Sequence, residues 1–211
     1  MHLYQSIHRK CTMQLKLYLK GIRSITETIP YITFCTGCFH KYEDACRKLS
    51  HVFSYIDKHF VEHQKSIKGE YSDAIYPFCM SLFWNDFLKS QHIQVVNGII
   101  KLLDAERRTK ESSNSQLIED VMNIFIFLSQ QGKTTSTMEE ENIYERYYHT
   151  KCVESARAYF KEVREMFKTL PVSEFLVKTL DVIDDEKERS KRYVATSYQR
   201  NYVEIIRKDF T

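Results

Sequence analysis

Five glycines and three prolines are few for 211 residues. A sandwich or barrel needs a turn former every few residues, so this scarcity excludes both and leaves long helices. No apolar run approaches the ~18 residues that cross a bilayer. The longest uncharged apolar stretches are Ile75–Trp84 and Val121–Leu128, and both are too short. Residues 1–10 carry two histidines, an arginine and a lysine, but no apolar core of a signal peptide follows. Neither sign of charge dominates: 31 Lys and Arg against 28 Asp and Glu give a formal +3, and the pI is near 8.4. That balance is too weak to argue by itself for a nucleic-acid partner. A Gly-rich phosphate loop, a G-x-S-x-G elbow and an H-E-x-x-H pair are all missing.

What is present is an ordinary globular composition, 43% hydrophobic and 28% charged. The length suits one domain or two small ones with a real core. Aromatics are the unusual feature: 14 tyrosines and 13 phenylalanines stand against one tryptophan. Tyrosine serves both cores and interfaces, so the excess fits a ring-packed helical core or a partner surface. The six cysteines are Cys11, Cys35, Cys38, Cys46, Cys79 and Cys152, spread over a chain that needs no staples. The expected setting is reducing and intracellular, cytoplasm and/or nucleus.

Apolar residues recur at helical spacing along almost the whole chain. Leu3, Tyr4, Ile7 and Cys11 share one face, and Leu15, Leu19, Ile22, Ile25 and Ile29 another. Pro30 is expected to end that second helix. The clearest pattern runs over Phe39–His63, through Tyr42, Cys46, Leu49, Phe53, Ile56 and Phe60. Tyr76–Leu88 follows, with Pro77 tolerable at its first position. Ile93–Arg108 has Val96, Ile99, Ile100 and Leu103 inward and a charged end. Leu117–Leu128 and Tyr144–Thr169 continue the series. After Pro171, Ser173 is the expected N-cap of a helix with Leu176, Leu180 and Ile183 on its apolar side, ending in a solvated run, Asp184–Arg189. A last helix covers Ser197–Phe210. Gln130–Glu141 is the best linker candidate.

Few residues group into chemistry. Cys35 and Cys38 have the spacing of metal ligands, with His40 and Cys46 nearby, so a zinc-binding protein using Cys35, Cys38 and His40 is one reading. The competing one is structural, since no second C-x-x-C exists and Cys46 falls on an apolar stripe. His59 and His63 lie at i,i+4, yet two ligands alone do not hold a catalytic metal. Asp184, Asp185, Glu186 and Glu188 read as a charged helix face, not an acid–base pair. A helical chain without a catalytic constellation is most often an interaction module, or a structural subunit of a helical assembly. No enzymatic activity and no cofactor are expected.

Several segments resemble the amino-terminal region of the cullins, the scaffold subunits of multisubunit ubiquitin ligases. Leu3-Tyr4 followed by Cys11-Thr12 is similar to the L-Y…C-T of the second helix of the first cullin repeat. Asp57–Val61 resembles the family's L-[DN]-R-x-[WY]-V helix end, and Gly98–Arg107 its L-x-x-I-x-x-E-R-x-G helix. Tyr144–Phe160 resembles a segment that starts with tyrosine and ends in paired aromatics. Pro171–Leu176, Glu186–Arg189 and Arg192-Tyr193 resemble V-x-E-Y-[ML]…E-E-x-x-R…Y-L. Each fragment is short, but their order and spacing hold over nearly the whole chain.

The resemblance implies an all-α fold of stacked cullin-type repeats forming an elongated array. Residues 1–130 would hold the first repeat and the start of the second, 131–141 a linker, and 142–211 the remainder of the second. It also implies a Skp1-like or BTB-type adaptor as partner, with substrate receptors behind it. By position the adaptor-binding residues are Met1, Leu3, Tyr4, Ile7 and His8 on the first helix and Tyr76 on a later one. The family's RING-recruiting carboxy-terminal region has no counterpart in these residues. The expected role is therefore that of an adaptor-binding scaffold, competitor or alternative recruiter, with no RING subunit, nucleic acid or membrane among its partners.

Overall fold

A computed structural model describes residues 27–56, 74–132 and 142–210, together with 10, 13 and 58. Every regular element among them is helical: α1 (Thr28–Val52), α2 (Ile75–Leu82), α3 (Lys89–Thr109), α4 (Ser115–Gly132), α5 (Thr150–Phe167), α6 (Val172–Tyr193) and α7 (Thr196–Phe210). A short helical turn, Ser54–Ile56, follows α1. Two π-helical turns, Phe83–Leu88 and Tyr144–His149, lead into α3 and α5.

The prolines open helices here. Pro30 is the third residue of α1, Pro77 the third of α2, and Pro171 the N-cap of α6. The first four N–H groups of a helix have no intrahelical acceptor, so a residue without an N–H costs nothing there. This corrects three sequence expectations. Pro30 begins a helix instead of ending one, so Cys35–Cys38 lies inside α1 and not ahead of it. Pro77 sits two residues deeper than expected. Ser173 lies inside α6, because Pro171 already supplies the extended N-cap.

The chain divides into two compact units, one made of 1–98 and 124–144, the other of 99–123 and 145–211. The division falls inside α3 and α4, so each of these helices contributes to both.

In the first unit α1 packs on α2 and the turn after it. Phe39 meets Phe83 and Phe127 edge-on, with ring centroids 5.3 and 5.8 Å apart. Phe83 touches Phe87 at 4.9 Å, and Trp84 meets Phe125 at 6.5 Å. These contacts use the edge-to-face preference of aromatic rings. The Tyr31 hydroxyl, at the buried start of α1, donates to Gln91 Oε1 at 2.6 Å. Gly98 lets two helices approach closely. A Cβ there would lie 2.7 Å from Ile32 Cδ1 and 2.9 Å from Thr28 Cγ2.

In the second unit α7 packs against α5 and α6. Its apolar residues include Leu103, Ile118, Tyr148, Phe160 and Ile206, all buried. Much of the remaining interior is ionic. The charged end expected for α3 is not solvated: Glu106 and Arg107 are each 4% exposed. The run Asp184–Arg189 is also not simply solvated, since Glu186 and Arg189 are buried on α6. The apolar side expected for α6 is partly inverted. Ile183 is buried, whereas Leu176 and Leu180 are 55% and 61% exposed.

Candidate functional site

Met1, Leu3, Tyr4, Ile7 and His8, the first-helix half of the expected docking surface, lie outside the described residues. So do His59, His63 and most of the linker. Tyr76 is described. It sits in the first turn of α2, in the first unit, half-buried. Its hydroxyl donates to Glu43 Oε1 at 2.8 Å. The same carboxylate oxygen accepts from Arg47 Nε at 2.5 Å, one turn further along α1. The Arg47 guanidinium also lies over the Tyr76 ring, 5.5 Å from its centroid. Phe127 meets the ring edge-on at 6.4 Å.

The local sequence accounts for this. Glu43 and Arg47 are i,i+4 on α1, the spacing that lets an acid and a base pair along one helix face. Tyr42, beside them, turns inward and donates to the Cys79 carbonyl at 3.0 Å, which ties α1 to α2. Burial pushes the Tyr76 hydroxyl up, and its bond to Glu43 adds to the shift, so the phenol stays protonated. Glu43 is mostly covered at 18% exposure, while Arg47 is open at 64%. The result is an aromatic ring pinned by its hydroxyl and flanked by an accessible cation. Such a site offers a partner apolar area together with directional polar contact.

The cysteine reading fares differently. Cys35 is buried and Cys38 half-buried, three residues apart on one helix. His40 is two residues beyond Cys38, which turns it about 200° around the axis. The ring is exposed, away from the buried thiol. Burial pushes the Cys35 thiol up to about 12 and also raises Cys38. A metal needs the thiolate, which these surroundings disfavour. Among the described residues no group of three His, Cys, Asp or Glu side chains is placed to hold a metal ion.

The second unit contains the polar cluster that sequence reading missed. Arg107 Nη2 donates to Glu186 Oε1 at 3.0 Å and to the Tyr202 hydroxyl at 3.1 Å. Its Nη1 donates to Asp104 Oδ1 at 2.6 Å and to Ser155 Oγ at 2.9 Å. Tyr202 in turn donates to Glu186 Oε1 at 2.6 Å, and Arg189 Nη1 pairs with the other Glu186 oxygen. Glu106 collects Tyr193 and Arg192, each at 2.8 Å. Burial would raise the Glu186 carboxyl, but the charges of Arg107 and Arg189 and the hydrogen bonds from Arg107 and Tyr202 outweigh it and hold Glu186 below the usual carboxylate range. Arg107, Glu186 and Tyr202 are shielded from solvent and bonded to one another, so the cluster holds α3, α6 and α7 together. Its signal in the sequence is the set of E-R and E-x-x-R…Y fragments, which also carry the family resemblance.

The model of the cullin alpha-solenoid domain matches residues 1–211, the whole chain. The helices, the absence of strands among the described residues and the order of the motif fragments agree with that match, and the chain belongs to the cullin family.

Proposed function

We propose that this chain is a non-catalytic protein-binding module that docks a Skp1-like or BTB-type adaptor. The observation that carries the reading is the Tyr76–Glu43–Arg47 arrangement, a half-buried ring with its hydroxyl anchored and a cation at its edge, in a chain that is a cullin domain throughout. An adaptor covering this patch would bury the open part of the ring and the Arg47 stem, and would present an acceptor to the guanidinium. Tyr4 and His8, carried by the resemblance, supply the companion face.

The test is co-purification with a recombinant Skp1-like protein and, separately, with a BTB-domain adaptor. One of them is expected to bind. Arg47→Glu and Tyr4→Ala should each weaken capture by about tenfold or more, the effect of losing a docking hot spot. Arg47→Glu should keep the helical circular-dichroism signal, because Arg47 is exposed. Failure of both adaptor classes to bind, or unchanged binding in both variants, overturns the proposal and favours a structural role in another helical assembly.

A further inference from the structure

Among the described histidines only His149 is buried, at 5% exposure. It ends the π-helical turn Tyr144–His149, a rare geometry that recurs at functional sites. Two rings of α7, one helical turn apart, pack on its imidazole: Tyr198 at 4.6 Å between centroids and Tyr202 at 6.2 Å. The Tyr198 hydroxyl also donates to Glu145 Oε2 at 2.8 Å. The first turn of α7 is therefore held to the π-helical turn twice, by a ring and by a carboxylate. Glu145 is exposed and lies four residues before His149, on the same side of the turn.

One carboxylate thus stands between two donors, and the proton on one of them decides which it serves. Imidazole is the side chain whose charge ordinarily changes near neutrality. Burial holds His149 below its ordinary 6.5, and the charge of Glu145 opposes that shift. The neutral ring favours the folded turn above 6.5, and the advantage is lost as pH falls. While the ring is neutral, Glu145 serves the Tyr198 hydroxyl. A protonated ring is a buried cation that needs an anion, and Glu145 is the carboxylate within reach. The titratable groups that α7 sets against the ring are Tyr198 and Tyr202. Glu186 from α6 and Arg107 from α3 meet Tyr202 at its hydroxyl, and their charges offset each other. Cys152, three residues further along the chain, stays a thiol because burial pushes it up to about 12. We propose that His149 and Glu145 form a proton-operated latch: when the imidazole gains a proton, Glu145 leaves the Tyr198 hydroxyl for His149 and the first turn of α7 loosens. The rest of α7 stays seated through Tyr202 and the buried Ile206, so the change is local.

NMR of the whole chain tests this. The His149 imidazole signals should titrate with a midpoint below 6.5. Amide hydrogen exchange, corrected for the intrinsic effect of pH, is then compared about one pH unit above and below that midpoint. The amides of Arg200, Asn201 and Tyr202 bond to carbonyls of the first turn of α7. They should lose about tenfold protection on the acid side, while those of Tyr159 and Phe160 on α5 hold. Glu145→Gln keeps an oxygen for Tyr198 but offers the imidazole no charge. It should move the His149 midpoint about one pH unit lower. Compared about its own midpoint, it should show no loss of protection in α7. Glu145 is exposed, so this variant keeps the fold and decides the matter even if His149→Phe, expected to show no pH response in α7, fails to fold. A His149 midpoint at or above 6.5, or no titration before the chain unfolds, overturns the proposal. So does equal protection of α7 on both sides of the midpoint, or a loss that Glu145→Gln leaves unchanged.

Discussion

The two units solve the same packing problem with different chemistry. The first fills its interior with rings: Phe39, Phe83, Phe87, Trp84 and Phe125 meet edge-on or tilted, and tyrosine hydroxyls bond at its margins. The second buries charge, with Arg107 and Glu186 at 1% and 2% side-chain exposure and the Tyr202 hydroxyl shared by both. A ring core sets ring orientation through edge-to-face contacts but needs no partner of opposite charge. An ionic core fixes the register of α3, α6 and α7, because Arg107 must reach Glu186 and Tyr202 at hydrogen-bond distance together, and it becomes costly when any member is lost.

The largest expected effect follows from that difference. Glu186→Ala leaves Arg107 and Arg189 buried without their shared carboxylate, and should lower stability by about 3–5 kcal/mol. The tryptophan makes the comparison readable. Trp84 is the one tryptophan of the chain and lies in the first unit, so its fluorescence reports that unit, while far-UV circular dichroism reports both. In a denaturant titration of Glu186→Ala, helix signal should be lost before Trp84 fluorescence changes. Coincident transitions would mean that the two interiors unfold as one, and would break the comparison.

Acid should separate the units in the unmodified chain as well. The Glu186 carboxyl is held below its ordinary value of 4.5 in the folded state. A depressed pKa contributes stability that is fully present above the unfolded value and is lost as pH falls through the folded one. Helix signal from the second unit should therefore decline as pH drops below about 4.5, ahead of Trp84 fluorescence. Glu186→Gln, which has no proton to gain, should remove that lag. Alkali is a poorer discriminator. Burial pushes Cys35 in the first unit and Cys152 in the second both up to about 12. Both then favour the folded state at neutral pH and cease to do so as pH rises between their ordinary value and 12, so the units should weaken together.

The same contrast explains what could be read from the sequence. Apolar periodicity reports ring and aliphatic packing directly, and it located α3, α4 and α5 to within a few residues, with Val96, Ile99, Leu103 and Phe160 buried as expected. It is blind to buried charge. A Glu or Arg at helical spacing looks solvated whether or not a partner waits 79 positions away, as Glu186 does for Arg107. The partly inverted face of α6 has the same origin: the side of that helix packed inward presents Thr179, Glu186, Arg189 and Ser190 as well as Ile183, so Leu176 and Leu180 face outward. Prolines misled for a different reason. Their scarcity was informative, but whether each one opens or closes a helix depends on which neighbouring N–H groups already lack acceptors. Of the candidate docking residues, only Tyr76 has a described setting, and its link to Glu43 and Arg47 joins positions 33 residues apart that no local pattern connects.

A smaller perturbation tests whether the first unit is as purely steric as this comparison requires. Gly98 lies on α3 where the chain passes α1, and a methyl group there would sit 2.7 Å from Ile32 Cδ1 and 2.9 Å from Thr28 Cγ2. Replacing glycine by alanine inside a helix gains about 1 kcal/mol of backbone propensity. Ile32 is fully buried, however, and cannot swing out of the way. Overpacking of this kind costs about 1–3 kcal/mol, so Gly98→Ala should destabilise by about 1 kcal/mol net. Because the cost is a clash and not a charge, it should be the same at low and high salt and at pH 4 and pH 7, and Ile32→Val in the same chain should recover part of it. A Gly98→Ala effect that changed with salt would show that electrostatics reach into the ring-packed unit. A stabilised variant would mean that the α1–α3 approach yields to the added methyl, with propensity outweighing contact.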